Sequence, residues 1–484
     1  MSYITILWIV LPFFIGFLIY LVPQISRGLA IIMALVSAAY AAEIFAGASS
    51  FNLQLLDHFG VSLIIDGLSG FFILTNALVT AAVVLYCWGS DKTAFFYMQI
   101  LILHGSVNAT FICADFISLY VALEVISIAA FLLIAYPRTD RSIWVGLRYL
   151  FVSNTAMLFY LIGAVLVYQA HHSFNFIGLR GAPPEAVALI FLGLLVKGGI
   201  FISGLWLPLT HSESESPVSA IFSGVVVKAG VFPLVRCALM LEEFDPLIRF
   251  LGVTTALLGV GFAVFEKDTK RMLAFHTISQ LGFILAAPGV GGFYALTHGL
   301  VKSALFLIAG ILPSRNFKQL QHQPINASIW LALVIASFSI SGFPLLSGFG
   351  AKVLTSKNYL PWQVIAMNIV AIGTAISFAK FIFLPYERNK EKGKIRSNLW
   401  AAMVILLGGL FVANGFYYQA YTVENIIKPL ISIIIGWLIY LFIIKKLTIK
   451  LPRVIEQFDH LIGVMILMIT ILFWIIWTQL QFSI

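Results

Sequence analysis

An all-α, polytopic membrane protein is the fold class this sequence predicts, and three observations predict it. Of 484 residues, 61% are hydrophobic and only 10% are charged, whereas soluble domains carry about 25% charged residues. The mean hydropathy is +1.01. Apolar runs of roughly 20 residues, long enough to cross a bilayer, recur from one end of the chain to the other.

Spans are expected near 3–22, 27–47, 65–89, 94–113, 115–136, 146–170, 185–207, 217–241, 246–265, 271–287, 292–313, 328–356 (interrupted), 361–385, 398–415, 425–445 and 463–481. The first is taken as a span and not as a removed signal, because no small-residue cleavage site follows it. With this topology, eighteen of the 29 Lys and Arg residues fall in loops on one side, four on the other, and seven within spans. Basic residues collect on the cytoplasmic side. Both termini are therefore expected outside and the 386–397 loop inside. The net charge of +9 is a matter of topology and needs no nucleic-acid partner. Cys87, Cys113 and Cys237 lie far apart, with no C-x-x-C pair, so no iron–sulfur or zinc site is expected. No P-loop or dinucleotide fingerprint is present. The sequence offers no cofactor, no metal site and no catalytic triad. The expectation is a transport subunit and not an enzyme on its own.

Each element has its reason. The first two spans are almost wholly apolar, with Glu43 at the outer end of the second. Residues 51–70 alternate and break at glycines, which predicts an outer hairpin, and Asp66 is placed to cap the third span. In the fifth span Glu124 has about ten apolar residues on either side. An ionised carboxylate at that depth requires a partner. Arg148 enters the next span from its cytoplasmic end and can snorkel.

The stretch from Leu194 to Arg236 places Lys197 and Lys228 in two apolar runs around a polar break, with Gly198, Gly199, Gly204 and Pro208 loosening the first. Broken helices at membrane depth pack on protein or line wet cavities, and transporters build ion sites from them. His211 is expected at the mouth of this break. His276 follows a basic turn and is open to two readings, relay or structural. His298 and Lys302 are four residues apart, on one face of one helix. A second break at Gly342, Pro344, Gly348 and Gly350 precedes Lys352, and Ile202-Ser203-Gly204 recurs as Ile340-Ser341-Gly342. Two such breaks predict an inverted repeat. Lys380 lies near a cytoplasmic end, can snorkel, and is left out of the relay. The charge run over 387–397 reads as solvated, and Lys445–His460 as an amphipathic segment lying on the membrane or on a partner.

Together, Glu124, Lys197, Lys228, His298, Lys302 and Lys352, with His211 and His276, form a set of deep ionisable groups. One carboxylate and four lysines cannot all carry charge in low dielectric, and such groups titrate as a coupled set. That is the physical form of a proton path.

These residues also resemble a family. Leu123-Glu124; Lys197 with Trp206-Leu207-Pro208, His211, Ser216–Ala220 and Lys228; Lys270-Arg271 through Ser279-Gln280 and Gly282; and His298 through Leu307 with Pro344–Lys352 are similar to motifs of the antiporter-like subunits of complex I and of Mrp-type multisubunit cation/proton antiporters. The resemblance covers roughly residues 65–385 and is nearest to D-type Mrp subunits. It departs at Gly204 and Leu209, where many complex I members have histidine and aspartate, and at Glu215, where proline is frequent.

The resemblance implies 14 core helices with two inverted five-helix repeats, each with one broken helix, plus about two extra C-terminal helices. The units would be 1–93 (N-terminal helices and hairpin), 94–241 (first repeat), 242–385 (second repeat) and 386–484 (loop and last helices). It implies a proton-translocating subunit of a Na+ or K+/proton antiporter in the cell membrane, or the thylakoid membrane of a photosynthetic source. Its partners would be other membrane subunits, protons, Na+ or K+, and lipid. The alternatives are a pump subunit of a complex I-like quinone oxidoreductase or membrane-bound hydrogenase, and an ion-coupled partner for inorganic carbon uptake. The implied proton path is Glu124, Lys197, Lys228, His298, Lys302 and Lys352.

Overall fold

The computed structural model describes residues 2–47, 50–56, 60–388, 397–447, 449 and 451–482. Helices α1 (Ser2–Leu21) and α2 (Ser26–Ala46) lead into a hairpin of β1 (Phe51–Leu56) and β2 (Gly60–Ile65). Then come α3 (Gly67–Tyr86), α4 (Ala94–Thr110), α5 (Phe116–Ile134), α6 (Asp140–His171) and α7 (Pro184–Gly198). A 3₁₀ segment, Phe201–Trp206, joins α7 to α8 (Leu207–Glu213), and α9 (Ser216–Ile221) runs through a π-helical turn into α10 (Lys228–Met240). The second half holds α11 (Asp245–Phe265), α12 (Thr269–Ala286), α13 (Gly291–Ala309), the short α14 (Phe317–Leu320), α15 (Ala327–Ser341), α16 (Ser347–Lys357) and α17 (Pro361–Ile382). It ends with α18 (Ser397–Asn414), α19 (Val423–Phe442) and α20 (Phe458–Phe482). Two residue pairs, β3 (Ile325–Asn326) and β4 (Tyr386–Glu387), run parallel; this contact was not expected.

Among the described residues, thirteen helical stretches are long and apolar enough to cross a membrane. The other three expected spans are helical too. α4 has only 17 residues, α12 opens on Lys270-Arg271, and the interrupted span divides into pieces of 15 and 11 residues. The chain is a multi-pass membrane protein. Residues 389–396, most of the expected charge run, lie outside the described residues.

Local chemistry sets the boundaries. Asp66, Asp115 and Asp268 each accept a backbone N–H at a helix start, a cap worth about 1 kcal/mol. A capping box of Thr139 and Ser142 starts α6 six residues earlier than its apolar run predicts. The hairpin forms as expected, with Phe51 opposite Ile65. Asp115 also accepts from Ser62 N at 2.8 Å, tying the hairpin to the start of α5.

The span windows within 216–240 and 288–309 are wholly buried, whereas those of α1, α19 and α20 are 28%, 17% and 28% buried. Lys228, His298 and Lys302 therefore sit in the two innermost spans, whereas α1, α19 and α20 carry no charge at mid-span. Among the described residues, every ion pair joins groups on the same side of the expected topology. Lys92–Glu215, Arg141–Glu213, Arg271–Glu266, Arg271–Glu456 and Arg315–Asp268 lie on one, and Asp66–Arg236, Arg249–Asp245 and Lys428–Glu424 on the other.

The two helix breaks share a device. α7 ends at Gly199 with φ +66 and α15 at Gly342 with φ +86, the left-handed cap that glycine adopts at least cost. The repeated Ile-Ser-Gly is out of register with this. Gly342 is equivalent in backbone role to Gly199, not to Gly204. In the first break, Trp206 Nε1 donates to Val196 O at 2.9 Å, satisfying a carbonyl the break exposes.

Candidate buried ionisable site

Lys197 stands two residues before the first cap. Its ammonium donates to Ser127 Oγ on α5 and, at 2.8 Å, to Ser153 Oγ on α6. Ser127 lies three residues after Glu124, on the same helix face. Glu124 is within electrostatic reach of Lys197, yet two serines take the ammonium's hydrogen bonds. Glu124 Oε1 is buried and has no hydrogen-bond partner among the described residues.

Lys228 follows the π-helical turn Phe222–Val226, a local widening that recurs at functional sites. The ammonium folds back onto it, donating to Gly224 O at 2.5 Å and Ser223 O at 3.3 Å. On the facing helix, Gly299 packs so closely that an added Cβ would stand 3.5 Å from Lys228 Nζ. His298 and Lys302 flank that glycine, and both interact electrostatically with Lys228. Lys302 donates to Leu273 O of α12 at 2.5 Å. On the same helix His276 is fully buried, within reach of both Lys302 and Lys352.

His211 is not at a mouth. It is fully buried and stacks on Phe306 with ring centroids 4.7 Å apart, because α8 and α9 fold into the bundle interior. Neither ring nitrogen of His211, His276 or His298 has a hydrogen-bond partner among the described residues.

Lys352 fills the second break. A Cβ at Gly342 would lie 2.8 Å from Lys352 Cδ, so the glycine that ends α15 also seats the lysine stem. The ammonium has no hydrogen-bond partner among the described residues and stands 5.4 Å from the centre of the Phe283 ring. It shares a small cavity, about 10 Å³, with His298, Gln280, Tyr294 and Ser339. That is room for about one water-sized species among polar groups.

The structure therefore brings the expected residues together in two sets. Glu124 and Lys197 form one. Lys228, His298, Lys302, His276, His211 and Lys352 form the other. Tyr149 lies between them. It is within electrostatic reach of Glu124, and its ring packs on Trp206 at 5.1 Å and Phe222 at 5.6 Å. Behind it the backbones of Gly198 and Gly230 meet, so closely that a Cβ added at Gly230 would overlap Gly198 N. The lysine-bearing helices thus cross in contact.

Sequence reasoning missed Ser127, Ser153 and Gln280. Ser127 was recoverable from its i+3 spacing to Glu124, and Gln280 stood inside a quoted motif. Four basic residues differ from expectation. Arg148 does not snorkel to lipid. It is buried and donates to Glu456 O at 2.5 Å. Lys380 is likewise buried, donating to Ala263 O at 3.1 Å and Glu266 O at 2.8 Å. Lys270 and Arg271 are in a helix and buried, not in a solvated loop. Glu215, unexplained by sequence, accepts from Lys92 Nζ at 2.6 Å, and that ammonium lies 4.5 Å from the Tyr136 ring centre. The segment 445–460, expected on the membrane or on a partner, docks through Glu456 onto this chain.

A family model described as NADH:quinone oxidoreductase/Mrp antiporter, TM, matches residues 113–377. The chain is similar to the D-type subunit of the Na(+)/H(+) antiporter of Alkalihalophilus pseudofirmus, 27% identical over 90% of this chain and 99% of that one. It is also similar to the N-type subunit of the NADH-quinone oxidoreductase of Desulforudis audaxviator, 29% identical over 78% of this chain and 85% of that one. Its fold is like that of a chain in the Mrp complex from Dietzia sp. DQ12-45-1b. There the TM-score is 0.74 at 22% identity, covering 95% of this chain and 59% of that one. The family match spans both helix breaks and every residue of the two sets, so the chain belongs to the NADH:quinone oxidoreductase/Mrp antiporter transmembrane family.

Proposed function

We propose that this chain is a proton-translocating subunit of a multisubunit Na+ or K+/proton antiporter, and that Glu124, Lys197, Lys228, His211, His276, His298, Lys302 and Lys352 are its proton path. One observation carries the reading. Buried polar atoms nearly always have partners, yet Glu124 Oε1, Lys352 Nζ and all six ring nitrogens of the three histidines have none among the described residues. They cluster along the interior instead of scattering over it. Groups so placed can take and release protons through intervening water without a large rearrangement. The paired left-handed caps support two inverted repeats, 94–241 and 242–385, each contributing one broken helix. The charge asymmetry and the same-side ion pairs support a cell-membrane topology with both termini outside. The similarity to an antiporter subunit supports other membrane subunits as partners. No deep carboxylate besides Glu124 is present in this set, so the cation site belongs to a partner subunit.

The test is cation-driven proton movement in vesicles bearing the assembled complex. Lys197→Ala and Glu124→Ala should each lower it roughly a hundredfold, the lower end of what a positioned proton donor or acceptor contributes. Intact exchange in both would refute the assignment.

The similarity to a quinone oxidoreductase subunit favours a second reading, a pump subunit of a redox complex. It predicts that quinone-handling subunits copurify with this chain, and that proton movement requires electron flow and not a Na+ or K+ gradient.

A further inference from the structure

We propose that Lys380 is a further proton-transfer residue, linking an open cavity at the basic side of the protein to the buried path; this rests on the proton-path reading above. A cavity of about 210 Å³ opens between the α11–α12 turn, α14 and the end of α19, and its walls include Glu266, Lys380, His322 and Tyr440. Lys380 is the wall residue that reaches inward. Its side chain is buried, and its ammonium is held by the carbonyl oxygens of Ala263 and Glu266 at the end of α11. Such contacts neutralise the C-terminal end of a helix, but they do not account for the depth of this side chain. Lys380 is turned into the bundle and interacts electrostatically with His276.

Two residues before it on α17, Phe378 packs its ring 4.8 Å from that of His276, and Lys302 Nζ stands 6.0 Å from the same ring. One aromatic side chain therefore adjoins the cavity lysine's helix, the relay histidine and the relay lysine. Lys380 faces Glu266 and Lys267 from the α11–α12 turn and His276 from α12, and it shares its cavity with Lys318 of α14, His322 just beyond it, Tyr440 of α19 and Lys445. Glu266 is engaged by the Arg271 guanidinium at 3.3 Å and by the N–H groups of Lys267 and Asp268, so its carboxylate is fixed as a counter-charge and not as a carrier. Both ring nitrogens of His276 lack a hydrogen-bond partner among the described residues. The transfer is then simple to write. A proton from cavity water protonates the Lys380 amine, the ammonium releases it to an unprotonated ring nitrogen of His276, and the imidazolium passes it to the Lys302 amine.

The experiment compares Lys380→Met, Lys380→Arg and Lys197→Ala in vesicles bearing the assembled complex, reading cation-driven proton movement. Arginine keeps the charge and the carbonyl bonds but does not release a proton near neutral pH. Both Lys380 variants should lose roughly tenfold or more of the rate. Wild-type rates in Lys380→Arg would show a structural cation and overturn the proposal, as would wild-type rates in Lys380→Met. If Lys197→Ala is also fully active, the proton path itself has failed; if it is inactive while the Lys380 variants are active, only this entrance has. Should Lys380→Met not assemble, Gln321→Trp decides, since it fills the cavity and leaves Lys380 in place. It should slow exchange to a similar degree, and an unaffected rate would overturn the proposal.

Discussion

At the scale of single residues, the partners of charged groups divide cleanly by depth. Deep ammonium groups bond to hydroxyls and carbonyls: Lys197 to two serines, Lys228 and Lys302 to backbone oxygens. Ion pairs collect at the membrane surfaces. One of them joins Asp66, at the start of α3, to Arg236 of α10. Burial alone would raise the Asp66 carboxyl, but the Arg236 guanidinium and the Ser69 N–H overcome it and hold it below the usual carboxylate range. A carboxyl held low stabilises the fold at pH values above its unfolded-state range, and that contribution is lost as pH falls through the lowered value. Asp66→Asn should cost about 2 kcal/mol at neutral pH, less than a fully buried pair because Asp66 is partly exposed. The difference in Tm from wild type should shrink as pH is lowered; a difference independent of pH would show that the pair contributes no charge interaction. Depth from either end of an apolar run was visible in the sequence, which is why Glu124 and the lysines could be named. Their partners were not, because Ser127 and Ser153 come from two other helices, 70 and 44 residues away in the chain.

At the scale of elements, the broken helices matter most. Both end on a glycine with a left-handed backbone, and in the second the same glycine makes room for the lysine that follows. Gly342→Ala should therefore strain the cap by about 1–2 kcal/mol and press on the Lys352 stem. The chain should still assemble, with a modest loss of thermal stability and a larger loss of exchange; an exchange rate equal to wild type would detach Lys352 from the break. Glycine and proline clusters marked both breaks in the sequence. Their register did not follow from sequence, since the three-residue repeat aligned the wrong glycines. Backbone angle, not local identity, defines the equivalence. Lys380 and Arg148 were misjudged for a related reason. Distance from a span end gives depth, but whether a side chain faces lipid or protein depends on which helix packs beside it.

At the scale of the whole molecule, the last two helices act as a clasp across the basic face. α19 packs on α17 of the second half and α20 on α7 of the first. The connection between them inserts Glu456, whose carboxylate takes the Arg271 guanidinium and whose backbone carbonyl takes Arg148. Burial pushes the Glu456 carboxyl above its usual range, with the Arg271 charge opposing. Glu456→Ala should cost about 2 kcal/mol, below the usual cost of breaking a buried pair because Arg271 keeps Glu266. Proteolysis within 447–457 should accelerate in that variant, and unchanged cleavage would show that the clasp is not held there. Most spans were legible from apolar runs alone: thirteen of the sixteen expected ones coincide with helical stretches long and apolar enough to cross a membrane. That the final pair would straddle both halves was not, because lipid-facing helices carry little in their sequence to say where they dock.

The central claim is that buried basic groups, with one acid, move protons through this chain. Cation-driven proton movement by the assembled complex in sealed vesicles, wild type against Lys228→Ala and Lys302→Ala, measures it most directly. The account predicts assembled complexes with flux reduced roughly a hundredfold in each variant; assembled variants that carry protons at the wild-type rate would contradict it.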